Sequence, residues 1–158
     1  MIQIRTGTRD DAEIIHRFVR ELAEYERQPS AVEATVETFR ADLSRPVPPF
    51  ECLVADHDGE PAGFALFFHN YSTWKGRQGI WLEDLFVTPA FRRRGIGLAL
   101  LRAVARIASE RDCGRLEWAV LDWNQPAIDF YESLGGEQQD EWRIFRITGE
   151  GIGRVAGR

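Results

Sequence analysis

Cysteine is scarce: Cys52 and Cys113 are the only two in 158 residues, and they lie far apart in apolar stretches with no C-x-x-C spacing. That pattern excludes a disulfide framework and predicts two reduced core thiols. Neither has a neighbouring histidine or an electropositive setting, so a nucleophilic cysteine is not expected. Histidine is equally thin. His16, His57 and His69 are scattered without ligand spacing, and no metal site is expected. No apolar run approaches the roughly 18 residues needed to cross a bilayer, and no basic-then-apolar leader opens the chain. A soluble, cytoplasmic protein with no membrane partner is therefore expected. Positive charge is also in deficit, with a formal net charge of -5. This argues against a nucleic-acid partner, which calls for a basic face, while remaining compatible with cationic small molecules.

What is present suits one globular domain spanning residues 1–158, since the chain is 44% hydrophobic and 28% charged. A chain of this size buries about two-thirds of its unfolded surface and needs no covalent staple. The alternation from Ile2 to Arg5 predicts a first strand. Thr8 followed by Asp11 resembles a capping box opening a helix to about Glu26, with Ile14, Phe18 and Leu22 beside Ile15 and Val19 on its buried stripe. A weaker helical pattern runs from Val36 to Leu43. After Pro46, Pro48 and Pro49, a strand Phe50–Ala55 turns at Asp58-Gly59 into a strand Ala62–Phe68. A loop Tyr71–Gln78 leads to a strand Ile80–Val87 that carries Glu83 and Asp84 among apolar residues. A helix then follows Gly95 and Gly97, burying Leu100, Leu101, Val104, Ile107 and Ala108 and closing near Gly114. The rest reads as a strand Leu116–Leu121, a helix Pro126–Leu134, a strand Trp142–Thr148 and a loosely held Gly-rich tail. Together these predict an α/β (α+β) fold, a mixed sheet covered by helices.

The stretch Arg92-Arg93-Arg94-Gly95-Ile96-Gly97 lies between a strand and an amphipathic helix. Helix N-termini expose unpaired N–H groups that bind phosphate, glycine permits close approach, and arginine pairs with phosphate oxygens. A dinucleotide-binding turn would need a third glycine after a first strand, and a nucleotide P-loop would need a Lys-Ser/Thr pair. Neither is there. R-x-x-G-x-G in this setting, with Asn124-Gln125-Pro126 and Phe130-Tyr131 about thirty residues on, resembles the GNAT superfamily of acyl-CoA-dependent N-acyltransferases over nearly the whole chain. The strings Glu21-Leu22-Ala23-Glu24-Tyr25-Glu26, Tyr71 to Gly76, Leu82-Glu83-Asp84 and Ala119 to Gln125 are similar to its diamine acetyltransferase branch, which contains spermidine/spermine and thialysine acetyltransferases.

The resemblance implies the GNAT fold, a central, mostly antiparallel twisted sheet flanked by helices, and homodimers. It implies acetyl-CoA as donor, with its pantetheine arm along Leu85, Phe86 and Val87 and its pyrophosphate on Arg92, Arg93, Arg94, Gly95, Ile96, Gly97 and Leu98. Asn124, Pro126 and Ala127 would flank the thiol end. For the acceptor it implies Tyr25, Glu26, Trp74, Glu83, Asp84, Trp118 and Glu141, although Trp118 also reads as core and Glu141 as a solvated loop charge. Where polyamine enzymes have Asp-Pro-Trp, this chain has Ser72-Thr73-Trp74, which shifts the expectation toward thialysine-like or lysine-like amines.

The chemistry follows from the acceptor. An alkyl ammonium is almost fully protonated at neutral pH and must lose a proton before attack. Glu83, on a strand that reads as buried, is the candidate base, directly or through water, or a counter-ion for the substrate. Adjacent strand residues point to opposite faces, so Glu83 and Asp84 reach one site only if the strand bulges, as it does in the resembled family. Tyr131 matches the family's general acid for the departing thiolate. The expected function is N-acetylation of a small cationic amine in a ternary complex; a sensor that binds acetyl-CoA without turnover and a protein-lysine acetyltransferase are the alternatives.

Overall fold

The computed structural model describes residues 1–158 and contains a five-stranded sheet and five α-helices. The strands are β1 (Ile2–Thr6), β2 (Glu51–His57), β3 (Glu60–Ser72), β4 (Arg77–Val87) and β5 (Leu116–Glu117), in spatial order 1-2-3-4-5. All neighbours are antiparallel except β4 and β5, which are parallel and joined through α3 (Ile96–Glu110). The helices α1 (Ala12–Tyr25) and α2 (Val36–Leu43) precede β2. Residues Met1–Ala119 form one compact unit and Val120–Arg158 a second, which holds α4 (Gln125–Ser133) and α5 (Glu150–Val155). No helix is long and apolar enough to cross a membrane.

The two faces of the sheet follow from the alternation along its strands. Cross-strand rows Val54–Phe64–Phe86 and Cys52–Leu66–Asp84 point one way. Most of these residues cluster with Ala12, Ile15, Phe18 and Phe39 of α1 and α2. Phe18 and Phe64, both fully buried, stack with centroids 5.5 Å apart. The intervening Leu53, Ala65, Phe67 and Leu82 point the other way, toward the buried stripe of Leu100, Leu101 and Val104 on α3. Thr8 and Asp11 form the expected capping box, with the Thr8 amide donating to Asp11 at 2.8 Å. It caps a 3-10 turn (Arg9–Asp11) that runs into α1.

The structure departs from the sequence reading in five elements. The strands β3 and β4 extend through most of the predicted loop, leaving only residues 73–76 as the turn. The helix α3 is closed by Asp112 (φ 52) rather than Gly114, since Asp112 N–H bonds Ser109 and Cys113 N–H bonds Ala108 in a Schellman arrangement. Aspartate tolerates the left-handed region well enough to replace glycine there. The predicted strand Leu116–Leu121 stops at Glu117, because the ladder with β4 ends at Trp81↔Glu117, just before β4 bulges. Trp142–Thr148 pairs with no strand despite its alternation, and Phe145 is 93% exposed. The tail, read as loose, contains α5, whose Glu150 and Arg154 pair at 3.9 Å.

Candidate active site

The carboxylates come first, because their placement depends on one irregularity. The β3–β4 register passes from Phe67↔Leu82 directly to Leu66↔Asp84, which makes Glu83 the extra residue of a bulge. Counting from Leu82, alternation turns Glu83 toward the α1 face; the pairing with Leu66 turns Asp84 to that same face. Two adjacent carboxylates thus share one side of the sheet. The Trp81 indole donates to Glu83 at 2.8 Å and holds it in place.

The third carboxylate arrives from α1. That helix ends in a Schellman closure, with Gln28 N–H on Ala23 at 2.8 Å and Arg27 N–H on Glu24 at 3.1 Å, Arg27 taking φ 64. The closure fixes Tyr25 and Glu26 at the helix end. Farther back on α1, Glu21 accepts from the Thr88 hydroxyl at 3.0 Å, which pins the helix beside the end of β4. Burial and the nearby Glu83 charge raise the pKa of Glu26.

Glu83 was expected to be a buried, elevated carboxylate, but the bulge leaves it exposed. The strongly shifted group is Asp84. It lies in the row of Cys52 and Leu66, and burial, followed by the charges of Glu83 and Glu26, pushes its pKa up to about 7. Sequence reasoning assigned Asp84 to substrate binding alone. The available signal was its place two residues before buried Phe86, in the inward phase of the strand. Cys52, fully buried, has its thiol pushed up to about 12 by desolvation, so it is no nucleophile.

A cradle opens at the other end of β4. Gly95 is the N-cap of α3 at φ 79, a left-handed conformation that favours glycine. Ala99 N–H is bonded to the Gly95 carbonyl at 2.9 Å, so the amides of Ile96, Gly97 and Leu98 lie ahead of the first intrahelical bond. A Cβ on Gly97 would meet only Val87, at 3.8 Å, an ordinary contact. Nothing in the protein itself requires glycine there; the missing side chain leaves room over the amides. Along β4, the pairing with β5 ends at Trp81, so Leu82–Val87 has a strand neighbour only in β3. An open strand edge leading to bare helix amides fits an elongated ligand that carries phosphates. Gly97→Val is expected to leave the melting temperature within a few degrees while weakening acetyl-CoA binding by about tenfold or more in isothermal titration.

Other expected site residues fall elsewhere. Of the three arginines, Arg92 folds back onto Tyr25 and Phe86, and Arg94 lies over Phe91. Trp74 is 86% exposed at the β3–β4 turn, and Glu83 lies about 20 Å along the strand from Arg77. Trp118 is half-buried just beyond β5. In the second unit, Asn124 precedes α4 and its carbonyl accepts from Ala127 and Ile128, each at 3.1 Å, with Pro126 in the first turn. Tyr131 is half-buried, its ring 5.3 Å from Phe130. Its carbonyl takes the amide of Gly136 in a Schellman closure with Gly135 at φ 87. Glu141 is exposed between α4 and α5.

Comparison with known proteins bears on this geometry. The model of the acetyltransferase (GNAT) family matches residues 13–136. A thialysine N-epsilon-acetyltransferase of Bos taurus is 40% identical over 99% of this chain and 98% of its own. An L-ornithine N5-acetyltransferase of Arabidopsis thaliana is 43% identical over 74% of this chain, which spans 52% of that relative. Among solved structures, an integron cassette protein from V. cholerae superposes with a TM-score of 0.81 at 26% identity, covering 99% of this chain and 98% of the other.

Proposed function

The chain belongs to the acetyltransferase (GNAT) family and is an amine N-acetyltransferase, and from that premise we propose that its acceptor is a small lysine-like amine. The observation that carries the proposal is the bulge at Glu83, which turns two adjacent carboxylates to the face shared with α1. A cluster of Glu26, Glu83 and Asp84 attracts an ammonium group, and the Tyr25 ring offers a face to it. Curated relatives are named for thialysine and ornithine, which suits an ω-amine on an amino-acid chain. Lack of an acidic residue at Ser72-Thr73 argues against a long polyamine, and spermidine is placed second.

Acetyl-CoA supplies the acetyl group as a thioester. The amides of Ile96, Gly97 and Leu98 hold its pyrophosphate, with Arg93 adding charge, and Leu85–Val87 offers backbone groups to the pantetheine arm. Asn124, Pro126 and Ala127 serve the thiol end. The amine attacks directly in a ternary complex: its C–N bond forms as the C–S bond breaks. The proton that the ammonium must shed passes to the Glu83–Asp84 pair, directly or through water, and Tyr131 gives a proton to the departing thiolate. The whole chain works as one acyltransferase domain, in the cytoplasm. A homodimer is part of the proposal, with the exposed Tyr71 at the end of β3 and Trp74 of the β3–β4 turn suited to its contact; light scattering reads it as twice the chain mass.

The test is thiol release from acetyl-CoA with thialysine, lysine, spermidine, putrescine and a lysine-containing peptide. A kcat/KM for thialysine or lysine above that for spermidine by about tenfold is expected, roughly the worth of one lost ammonium contact. Highest activity on the peptide would favour a protein substrate. Tight acetyl-CoA binding with no release to any amine would favour a sensor.

A further inference from the structure

The first arginine of the cradle does not face the cradle. The Arg92 guanidinium carbon lies 4.7 Å from the ring centroid of Tyr25 on α1 and 5.7 Å from that of Phe86 on β4. Its Nε donates to the Val87 carbonyl at 3.1 Å, at the end of the open strand edge. One side chain therefore touches the end of β4 and the helix residue next to Glu26, from a backbone position that begins the phosphate-binding loop. A lysine could not do the same, because the contact uses a flat face and an in-plane donor together.

The backbone links that direction to the shape of the loop. Arg92 N–H bonds the Pro89 carbonyl at 3.3 Å, Arg93 next to it is left-handed at φ 62, and Gly95 is left-handed at φ 79. A group seated on the amides of Ile96 to Leu98 fixes this short loop and, with it, the root of the Arg92 side chain.

We infer that Arg92 is a positioning residue for the amine pocket rather than a ligand of the donor's phosphates: through Tyr25 it ties the end of α1, and so Glu26, to the filling of the cradle. Donor binding then tightens amine binding, and by thermodynamic linkage amine tightens donor binding by the same factor. This inference rests on the acetyltransferase reading above.

The experiment uses the full chain carrying Arg92→Ala, Tyr25→Leu or both, with coenzyme A titrations and steady-state kinetics on the best amine of the panel. Arg92→Ala is expected to raise the amine KM by about three- to tenfold with kcat held within about twofold. Its Kd for coenzyme A without amine stays within about twofold of wild type, and the tightening of amine binding by coenzyme A disappears. Tyr25→Leu also abolishes that tightening and, having lost its own face toward the ammonium, raises the amine KM further; the double variant is no worse than Tyr25→Leu alone, because the coupling through the Arg92–Tyr25 contact is lost only once. A Kd for coenzyme A weakened about tenfold by Arg92→Ala, with a shallower salt dependence and additive double-variant losses, would make Arg92 a phosphate ligand and overturn the inference. Should the Ala variant fail to melt cooperatively, Arg92→Gln repeats the series. Wild-type protein that binds no coenzyme A, or transfers acetyl to no amine, brings down the acetyltransferase reading itself, and that failure is seen before any variant is made.

Discussion

Replacing Tyr131 by phenylalanine lowers kcat for amine acetylation by about 10²- to 10⁴-fold, the usual worth of a general acid, while acetyl-CoA binds as before. The substitution removes one hydroxyl and keeps the ring. The packing of Tyr131 against Phe130 and the closure of α4 through its carbonyl are both retained, so the helix itself is untouched. What is lost is a proton for the thiolate, which must then leave as a bare anion or wait for water. Stopped-flow acetyl transfer beside isothermal titration separates the two effects. A kcat within twofold of wild type would remove Tyr131 from the chemistry and leave it a packing residue.

The second large effect concerns pH. In wild type, kcat/KM rises through a limb near pH 7 as Asp84, pushed up by burial and by the charges of Glu83 and Glu26, loses its proton. Asp84→Asn removes the limb and lowers kcat/KM at pH 8 by about 10²-fold. Glu83→Gln, at the exposed position, lowers kcat/KM at every pH and shifts the limb downward, because Asp84 loses a repelling neighbour. An unaltered profile in both variants would place deprotonation elsewhere.

The same shift predicts a change in stability of opposite sense. Asp84 has its ordinary value of 3.8 in the unfolded chain and about 7 in the folded one, so between those values the folded state holds a proton that the unfolded state has released. Stability is therefore lost as pH rises from about 4 to 7. Below about 4 both states are protonated and nothing is lost. Asp84→Asn escapes this loss, so it melts higher than wild type at pH 8, by an amount on the order of a few kcal/mol in unfolding free energy, and close to wild type at pH 4. A carboxylate that weakens the fold is the kind of cost tolerated at functional sites, which supports the role proposed for Asp84.

Much of the architecture was legible in the sequence because it rests on local rules. The stripe of Ile15 and Phe18, the cap at Thr8 and Asp11, the strand ending at Pro89 and the glycines at the start of α3 are each set by periodicity or backbone sterics within a few residues. The open N-terminus of α3 was readable for the same reason: Gly95 and Gly97 mark a helix start, whose first amides have no intrahelical partner. The strings around Glu83 and Tyr131 carried the resemblance to an acetyltransferase family, which the comparisons bear out.

What failed to show was everything that depends on a partner strand. Alternation alone predicted strands at Leu116–Leu121 and Trp142–Thr148, yet a strand exists only where another supplies its hydrogen bonds, and those segments find two paired residues and none. The direction of Arg92 depends on where the end of α1 lies, more than sixty residues earlier in the chain. The bulge is the clearest case. Sequence named Glu83 and Asp84 and set the condition under which both could serve one site, but the register between β3 and β4 decided it, by skipping Glu83 and turning Asp84 into the row of Cys52 and Leu66. Residue identity fixed which groups could titrate; tertiary pairing decided which one is desolvated, because burial is a property of neighbours that the chain meets only after it has folded.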